Sequence, residues 1–245
     1  MSGRAQIMGD LKAALSGGTD DAARRRAVAD RLAAKARHVI PVRGQDSGPA
    51  ATDRFQAEAE RVQATVARVA AIDDVPGAVA DYLAAQNLPA ALRMTPDPRL
   101  QAAPWNRTAI QVSEGSAQGS DTAGLSHAFG GVAETGTLVF LSGPESPTTV
   151  NFLPPVHIAV VRASEISGCF EDIWSRLRAA RTGAEGTGTD GNGRFMPRNV
   201  NWITGPSRTA DIELTLFLGV HGPKTLHIVI VDDIAGGESH GGPAT

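Results

Sequence analysis

The chain contains a single cysteine, Cys169, among its 245 residues. No internal disulfide can form. One thiolate also cannot hold an iron–sulfur cluster, which usually needs four, so any such cluster has to sit in another subunit. This cysteine usage points to a reducing, cytoplasmic compartment. Long apolar runs are missing as well. None approaches the roughly 20 residues that span a bilayer, and the opening stretch MSGRAQIMGDLKAAL lacks the continuous apolar segment of a secretory signal. Excess charge of either sign is absent too. The 23 basic and 26 acidic residues leave a net charge of −3, which gives no general attraction to nucleic acid or to an anionic membrane. There is no internal repeat. The Gly-rich segment at residues 183–193, GAEGTGTDGNG, fits neither a P-loop nor a dinucleotide fingerprint, since no Lys-Ser or Lys-Thr pair follows it. It reads as a mobile loop.

What is present suffices for one large α/β domain with a sizeable core, since 42% of the residues are apolar. Val28, Leu32 and Val39 fall at helical spacing on an Ala- and Arg-rich stretch that Pro41 and GQDSGPAATD interrupt. Asp53 is placed to cap a helix carrying Phe55, Ala59, Val62, Val66 and Val69 on one stripe. A further helix is expected from near Pro76 to Gln86. Beyond Leu88 the texture turns to strands: ALRMT, AIQVS, then LSHAFGGVAE and TLVFL around a tight Glu-Thr-Gly turn. VHIAVV, from Val156 to Val161, reads as a strand buried on both faces. Phe170, Ile173, Trp174 and Leu177 form one face of the helix that follows, and strand-then-helix implies a crossover and a mostly parallel sheet. NVNWIT, a helix starting in GPSRTADIE and stopping at Gly219, and a last strand TLHIVIV complete the chain. The expected fold is therefore α/β, a mostly parallel sheet flanked by helices. A helical arm occupies residues 1–51, the main domain residues 52–235 and a flexible tail residues 236–245.

Three stretches hold candidate functional residues. In AETGTL, the carboxylate of Glu134 stands beside Thr135, Gly136 and Thr137 at a strand-to-strand turn. It can face a ligand, with Glu134 the candidate catalytic residue, or the turn can be structural, with Gly136 supplying an unusual backbone angle. In ITGPSRTADIE, Thr204 ends a strand, Gly205 and Pro206 turn the chain, and Ser207 or Thr209 can cap a helix. Its unpaired N–H groups, with Arg208 beside them, would make an anion site at the carboxyl end of a strand. The alternative is an ordinary capped helix with Arg208 paired to Asp211 or Glu213. In GVHGP, His221 lies in a Gly-rich turn, either as a ligand-facing or as a solvated side chain. His127, His157 and His227 fall in strand candidates with no metal spacing, so no metal is expected. The Asn151 amide can bind a ligand or cap a turn, and reads first as a turn residue; Cys169, at a helix start, can be a thiol activated by that position or a small packed side chain, and reads first as the latter.

The order and spacing of AETGTL, TGPSRTADIE and GVHGP resemble the lactate-utilization protein C family, the LUD-domain proteins, over the chain from about Phe55 to Asp232. The resemblance implies a fold similar to the sugar-phosphate isomerase and CoA-transferase-like class. It further implies a component of an L-lactate dehydrogenase (oxidase) complex rather than a complete enzyme. In that complex, iron–sulfur partner subunits hold the clusters and oxidise L-lactate to pyruvate, and this chain, with no cofactor of its own, binds a small carboxylate or anion. The other reading is a stand-alone enzyme on the related fold, with Glu134 as acid/base or nucleophile toward an acyl or sugar-phosphate substrate.

Overall fold

The computed structural model describes residues 3–15, 21–34, 37, 39–181, 196–209 and 217–234. The Gly-rich segment at 183–193 and the tail from 236 lie outside the described residues. The chain divides into two compact units, Met1–Val39 and Ile40–Thr245. The first contains α1 (Gly3–Leu15) and α2 (Asp21–Ala34), both rich in the good helix formers Ala and Arg or Leu. Val28 and Leu32 belong to α2, whereas Val39 lies beyond its end.

In the second unit α3 spans Gly48–Arg61, and β1 spans Thr65–Val69. The helix expected to start at Asp53 and run through Val69 therefore starts earlier and stops sooner. Ser47, in extended conformation, precedes Gly48 and Pro49, and proline in the first turn loses no helical hydrogen bond. At the other end Gln63 adopts φ +71° and the Ala64 amide bonds back to the Ala59 carbonyl, which closes the helix in the left-handed manner usual after a last turn. Val66 and Val69 then point to opposite faces of a strand, each toward a different core. A three-residue spacing fits one helix face or the two faces of a strand, and here the β-branched run Thr65-Val66 joins the sheet.

The remaining elements of the main sheet follow in order. They are α4 (Val75–Ala85), β2 (Ala91–Met94), the short α5 (Pro98–Gln101), β3 (Gln111–Glu114) and β4 (Ala123–His127). A second sheet intervenes with β5 (Gly130–Val132) and β6 (Thr137–Leu141). After the single turn α6 (Thr149–Phe152) come β7 (Val156–Arg162), β8 (Ile166–Ser167) and α7 (Phe170–Arg181). Beyond residue 195 lie β9 (Val200–Ile203), β10 (Arg208–Thr209), β11 (Phe217–Leu218) and β12 (Thr225–Val231). Six strands form a fully parallel sheet in the order β1-β12-β7-β4-β2-β3. Four more form a mixed sheet, β8-β5-β6-β9.

The parallel sheet is sandwiched between two cores. In β7, Ile158 and Val160 face one core while Ala159 and Val161 face the other; in β12, Val229 and Val231 oppose Ile228 and Ile230. This period-2 division, with apolar contacts on both faces, explains the near-continuous apolar run of VHIAVV. The stretch LSHAFGGVAE, expected as one strand, is two. The Ala128 amide bonds to Val160 of the parallel sheet, and the next amide, Phe129, bonds to Val139 of the mixed sheet. Gly130 and Gly131 permit the change of sheet, because a side chain at Gly130 would overlap Arg176 and the Glu165 carbonyl. Among the described residues, no helix is long and apolar enough to cross a membrane.

Candidate functional site

The AETGTL turn joins β5 to β6. Gly136 has φ +64°, and a Cβ there would overlap the backbone of Glu58 and Ala59 in α3. The turn is thus pressed flat on a helix, which only glycine allows. A chain of hydroxyls leads away from it: Thr135 Oγ1 lies 2.7 Å from Thr137 Oγ1, which lies 2.7 Å from Thr204 Oγ1. Glu134 goes elsewhere. It is 7% exposed, its amide donates to the Gly168 carbonyl, and its carboxylate lies 3.8 Å from the Arg43 guanidinium and close to Gly44.

Thr204, Gly205, Ser207, Arg208 and His221 come together around a cavity of about 270 Å³, whose wall also includes Asn151 and His157. The helix expected to open at Ser207 or Thr209 is not what places them. Arg208–Thr209 is a strand, paired antiparallel with Phe217–Leu218; residues 210–216, with Asp211 and Glu213, lie outside the described residues. The Ser207 amide donates to the Pro223 carbonyl, the Gly219 amide to the Ser207 carbonyl, and the Arg208 guanidinium to the Val62 carbonyl. Gly219, expected as a helix stop, follows the second strand of this hairpin with φ +77°. The anion site built on free helix amides is therefore replaced by a cavity walled with side chains. Thr209 is 8% exposed in the hairpin and does not line it. The cavity adjoins the carboxyl end of β9 as expected, yet β9 belongs to the mixed sheet. Relative to the parallel sheet it is the amino end, since His157 and Leu226 are the second residues of β7 and β12.

Two further wall residues are ones the sequence reads otherwise, Asn151 first as a turn residue and His157 as a strand histidine without a partner. Asn151 is 1% exposed and its Oδ1 has no hydrogen-bond partner. His157 Nε2 lies 2.7 Å from Ser126 Oγ, while Nδ1 has no partner. Burial alone pushes the His157 pKa down to about 3, so the ring is neutral. Ser126 is 31 positions away, a pairing that only the β4–β7 contact creates.

The opposite end of the sheet carries a second cluster. β2 leads outward to β3 while β4, its other neighbour, leads to β7, so the strand order reverses there. Such a reversal opens a crevice beyond the carboxyl ends. Asp97 and Arg99 follow β2, His127 ends β4, and Glu165 follows β7. Arg99 donates to both oxygens of Asp97, at 3.0 and 2.7 Å, and to Glu165 at 3.1 Å. Burial opposes ionisation of Asp97, but hydrogen bonds from the Arg99 side chain and amide overcome it and hold the carboxyl below its usual range. Burial raises Glu165. His127 donates through Nδ1 to the Ala128 carbonyl at 2.9 Å, its Nε2 has no partner, and burial, aided by Arg99, lowers its pKa to about 4. Asp97, Arg99 and His127 line a cavity of about 330 Å³. None of these four was a sequence candidate, because the strand order that gathers them is invisible in the chain. Among the described residues no group of three or more His, Cys, Asp or Glu side chains could hold a metal ion.

A family model described as the LUD domain matches residues 52–231. An uncharacterized protein of Neisseria meningitidis serogroup B is 42% identical over 109 residues, 44% of this chain and 42% of that protein. Lactate utilization protein C of Geobacillus sp. (strain WCH70) is 39% identical over 102 residues, 41% of this chain and 39% of its own length. Lactate utilization protein C of Geobacillus thermodenitrificans is 34% identical over 137 residues, 53% of each chain. The aligned stretches thus span about two-fifths to one-half of these relatives. The crystal structure of a DUF162 family protein from Deinococcus radiodurans superposes with a TM-score of 0.53 at 20% identity, covering 74% of this chain and 96% of that one. This likeness concerns the fold.

Proposed function

The chain belongs to the LUD domain family, and from that premise we propose that it is a non-redox component of an L-lactate utilization system. In this reading iron–sulfur partner subunits oxidise L-lactate to pyruvate, and this chain binds a small carboxylate in the amino-end cavity. The names of its Lactate utilization protein C relatives support the pathway. The single, buried cysteine supports placing the clusters in other subunits. The observation that carries the ligand is the convergence of Thr204, Ser207, Arg208 and His221 on one cavity of about 270 Å³. That is slightly below the roughly 300–1,000 Å³ of clefts for drug-sized ligands, which suits a small metabolite. Arg208 is exposed there, and among the described residues its guanidinium contacts one carbonyl, that of Val62, through one of its five N–H groups.

Calorimetric titration of L-lactate, pyruvate and phosphate into the wild type, Arg208→Lys and Arg208→Ala tests the ligand. A charge-assisted pair contributes roughly 1.5–3 kcal/mol, or one to two decades in affinity, so Arg208→Ala should weaken binding by that factor and Arg208→Lys by less. Equal responses from all three proteins would remove the carboxylate site. Co-purification from the native host, with cluster absorbance and lactate oxidation measured on the complex, tests the partners. The stand-alone enzyme with Glu134 as its reactive group is less well supported, because Glu134 is set against Arg43 and lines neither cavity. Turnover by the purified single chain, lost in Glu134→Gln, would revive it.

A further inference from the structure

We propose that residues 41–46 are a displaceable strap, closed over the Glu134 carboxylate, and that this carboxylate meets a ligand only when the strap lifts. The proposal does not rest on the lactate reading, which uses the amino-end cavity. Two glycines let the strap lie flat. Val42–Gly44 is a single 3-10 turn. A Cβ on Gly168 would overlap the carbonyl oxygens of Gly44 and Asp46, so the strap backbone rests directly on the backbone at Gly168. A Cβ on Gly44 would stand 3.2 Å from Cys169 Cβ and 3.2 Å from Glu134 Oε2. The strap therefore covers both side chains.

Little holds the strap down. Its hydrogen bonds close on the strap itself: the Gly44 amide donates to the Pro41 carbonyl, the Gln45 amide to the Val42 carbonyl, and Gln45 Nε2 to the Ile40 carbonyl. Among the described residues, no hydrogen bond runs from residues 41–45 to the surface beneath. The ion pair from Arg43 to Glu134 spans 3.8 Å, longer than a hydrogen bond, and its guanidinium is 62% exposed. Val42 is 82% exposed and anchors nothing. One end is fixed, because Asp46 pairs with Arg54 of α3. Just before the other end, between Val39 and Ile40, runs the boundary of the two compact units. A segment with few buried apolar contacts and no hydrogen bonds to its base opens locally, at a cost below that of global unfolding.

Glu134 is unlike a structural carboxylate. It is buried and its Oε2 faces the strap, yet among the described residues no hydrogen bond reaches its carboxyl oxygens. Buried carboxylates are ordinarily satisfied by donors, because leaving them bare is costly. Here the Arg43 guanidinium stands near without donating. Lifting the strap withdraws Arg43 and leaves an acceptor that a hydroxyl, ammonium or guanidinium group of a ligand can satisfy. Closed, the strap keeps such a group out.

The chain carries its own reporter. Cys169 is its single cysteine and lies fully buried beneath Gly44, so its reaction with methyl methanethiosulfonate, followed by intact mass, reads strap opening. Carbodiimide with glycine ethyl ester, followed by peptide mass spectrometry, reads exposure of Glu134. In the wild-type chain the Cys169 rate should hardly change with low urea, since lifting a strap exposes little surface. Gly168→Ala pushes on the strap backbone and should raise the Cys169 and Glu134 rates together, about tenfold or more, with a cooperative unfolding transition retained. Arg43→Ala removes an exposed side chain and should raise the Cys169 rate about two- to threefold with the thermal midpoint unchanged. Gly119→Ala, where a Cβ meets nothing within 4 Å, should react like wild type. The proposal is overturned if wild-type Cys169 reacts only in proportion to global unfolding, if Gly168→Ala reacts at wild-type rates, or if that variant exposes Cys169 while Glu134 stays unmodified. Should Gly168→Ala fail to fold, the urea series and Arg43→Ala decide alone, and an unchanged Cys169 rate in Arg43→Ala overturns the strap.

Discussion

His227 lies flat on Tyr82, with ring centroids 3.9 Å apart and planes within 8° of parallel, and its Nδ1 is 2.8 Å from Thr65 Oγ1. The stack joins β12 to α4, and Thr65 joins it to the edge strand β1. Burial outweighs the hydrogen bond to Thr65 and lowers the His227 pKa to about 4. His127 and His157 are shifted the same way, to about 4 and about 3. An unfolded imidazole takes up its proton near pH 6.5. Between there and pH 4 the unfolded chain therefore binds more protons than the fold, and stability rises with pH. The contribution is complete above about pH 6.5 and is lost as pH falls toward 4. At roughly 1.4 kcal/mol per pKa unit, each ring contributes on the order of 3 kcal/mol. Urea unfolding at pH 7, 6, 5 and 4 should show a steep fall across that window. His227→Phe, which keeps a stacking ring and removes one titrating group, should make the fall shallower by about one proton; an unchanged slope would count against a neutral buried His227.

Gly136→Ala should destabilise the fold by about 2 kcal/mol or more, since it adds both a strained positive φ and an overlap with the backbone of α3. Gly143→Ala is the matched control. A Cβ there meets nothing within 4 Å, so its effect should stay within about 0.5 kcal/mol. Chemical denaturation of both variants gives the comparison. Similar midpoints for the two would show that the AETG turn is free to move off the helix.

Thr137 is the middle of the hydroxyl chain from Thr135 to Thr204 and is 1% exposed. Thr137→Val keeps the β-branched shape and removes two hydrogen bonds, which should cost about 1–2 kcal/mol. Because Thr204 lines the amino-end cavity, loss of its partner should also weaken binding there. A stability loss with lactate affinity unchanged would reduce the chain of hydroxyls to packing.

Much of this was legible in the chain where one face or one neighbour decides the outcome. VHIAVV, TLHIVIV and the Phe170–Leu177 stripe read correctly because burial imprints its period directly. The β5–β6 hairpin and the odd backbone angle at Gly136 were legible for the same local reason. What failed depended on distant partners. Val66 and Val69 continue a helical spacing, yet β12 takes them into a sheet. Ser207–Thr209 has capping residues, but the described part of that segment pairs as a strand with Phe217–Leu218. Five candidates from two separate motifs did meet in one cavity, whereas Asn151 reads first as a turn residue, His157 as an unpartnered strand histidine, and the Asp97–Arg99–His127–Glu165 cluster is not legible as a cluster. Each is brought into place by strands that are neighbours in space and far apart in sequence.

Asp53 illustrates the same point and gives the last prediction. Its side chain reads as a helix cap, yet it lies inside α3 and pairs with Arg68 of β1 at 2.6 Å. Arg68 also grips Asp232, just past β12, through Nε at 2.9 Å and Nη2 at 2.8 Å. One guanidinium thus connects a helix, the edge strand and the end of the last strand. Its hydrogen bonds to Asp232 first and to Asp53 second hold Arg68 protonated above its usual range. The group is about one-third exposed and Asp53 more so, so water and salt screen much of that attraction. The bidentate geometry to Asp232 should still leave a measurable coupling, because its fork is held on two oxygens. A double-mutant cycle with Arg68→Met and Asp232→Asn should give about 1 kcal/mol at low salt, falling at 0.5 M sodium chloride. The corresponding cycle with Asp53→Asn should give less, since that carboxylate takes a single bond and stands largely in water. A coupling to Asp53 as large as that to Asp232 would mean that charge alone, not the fork, holds β1 at the edge of the sheet.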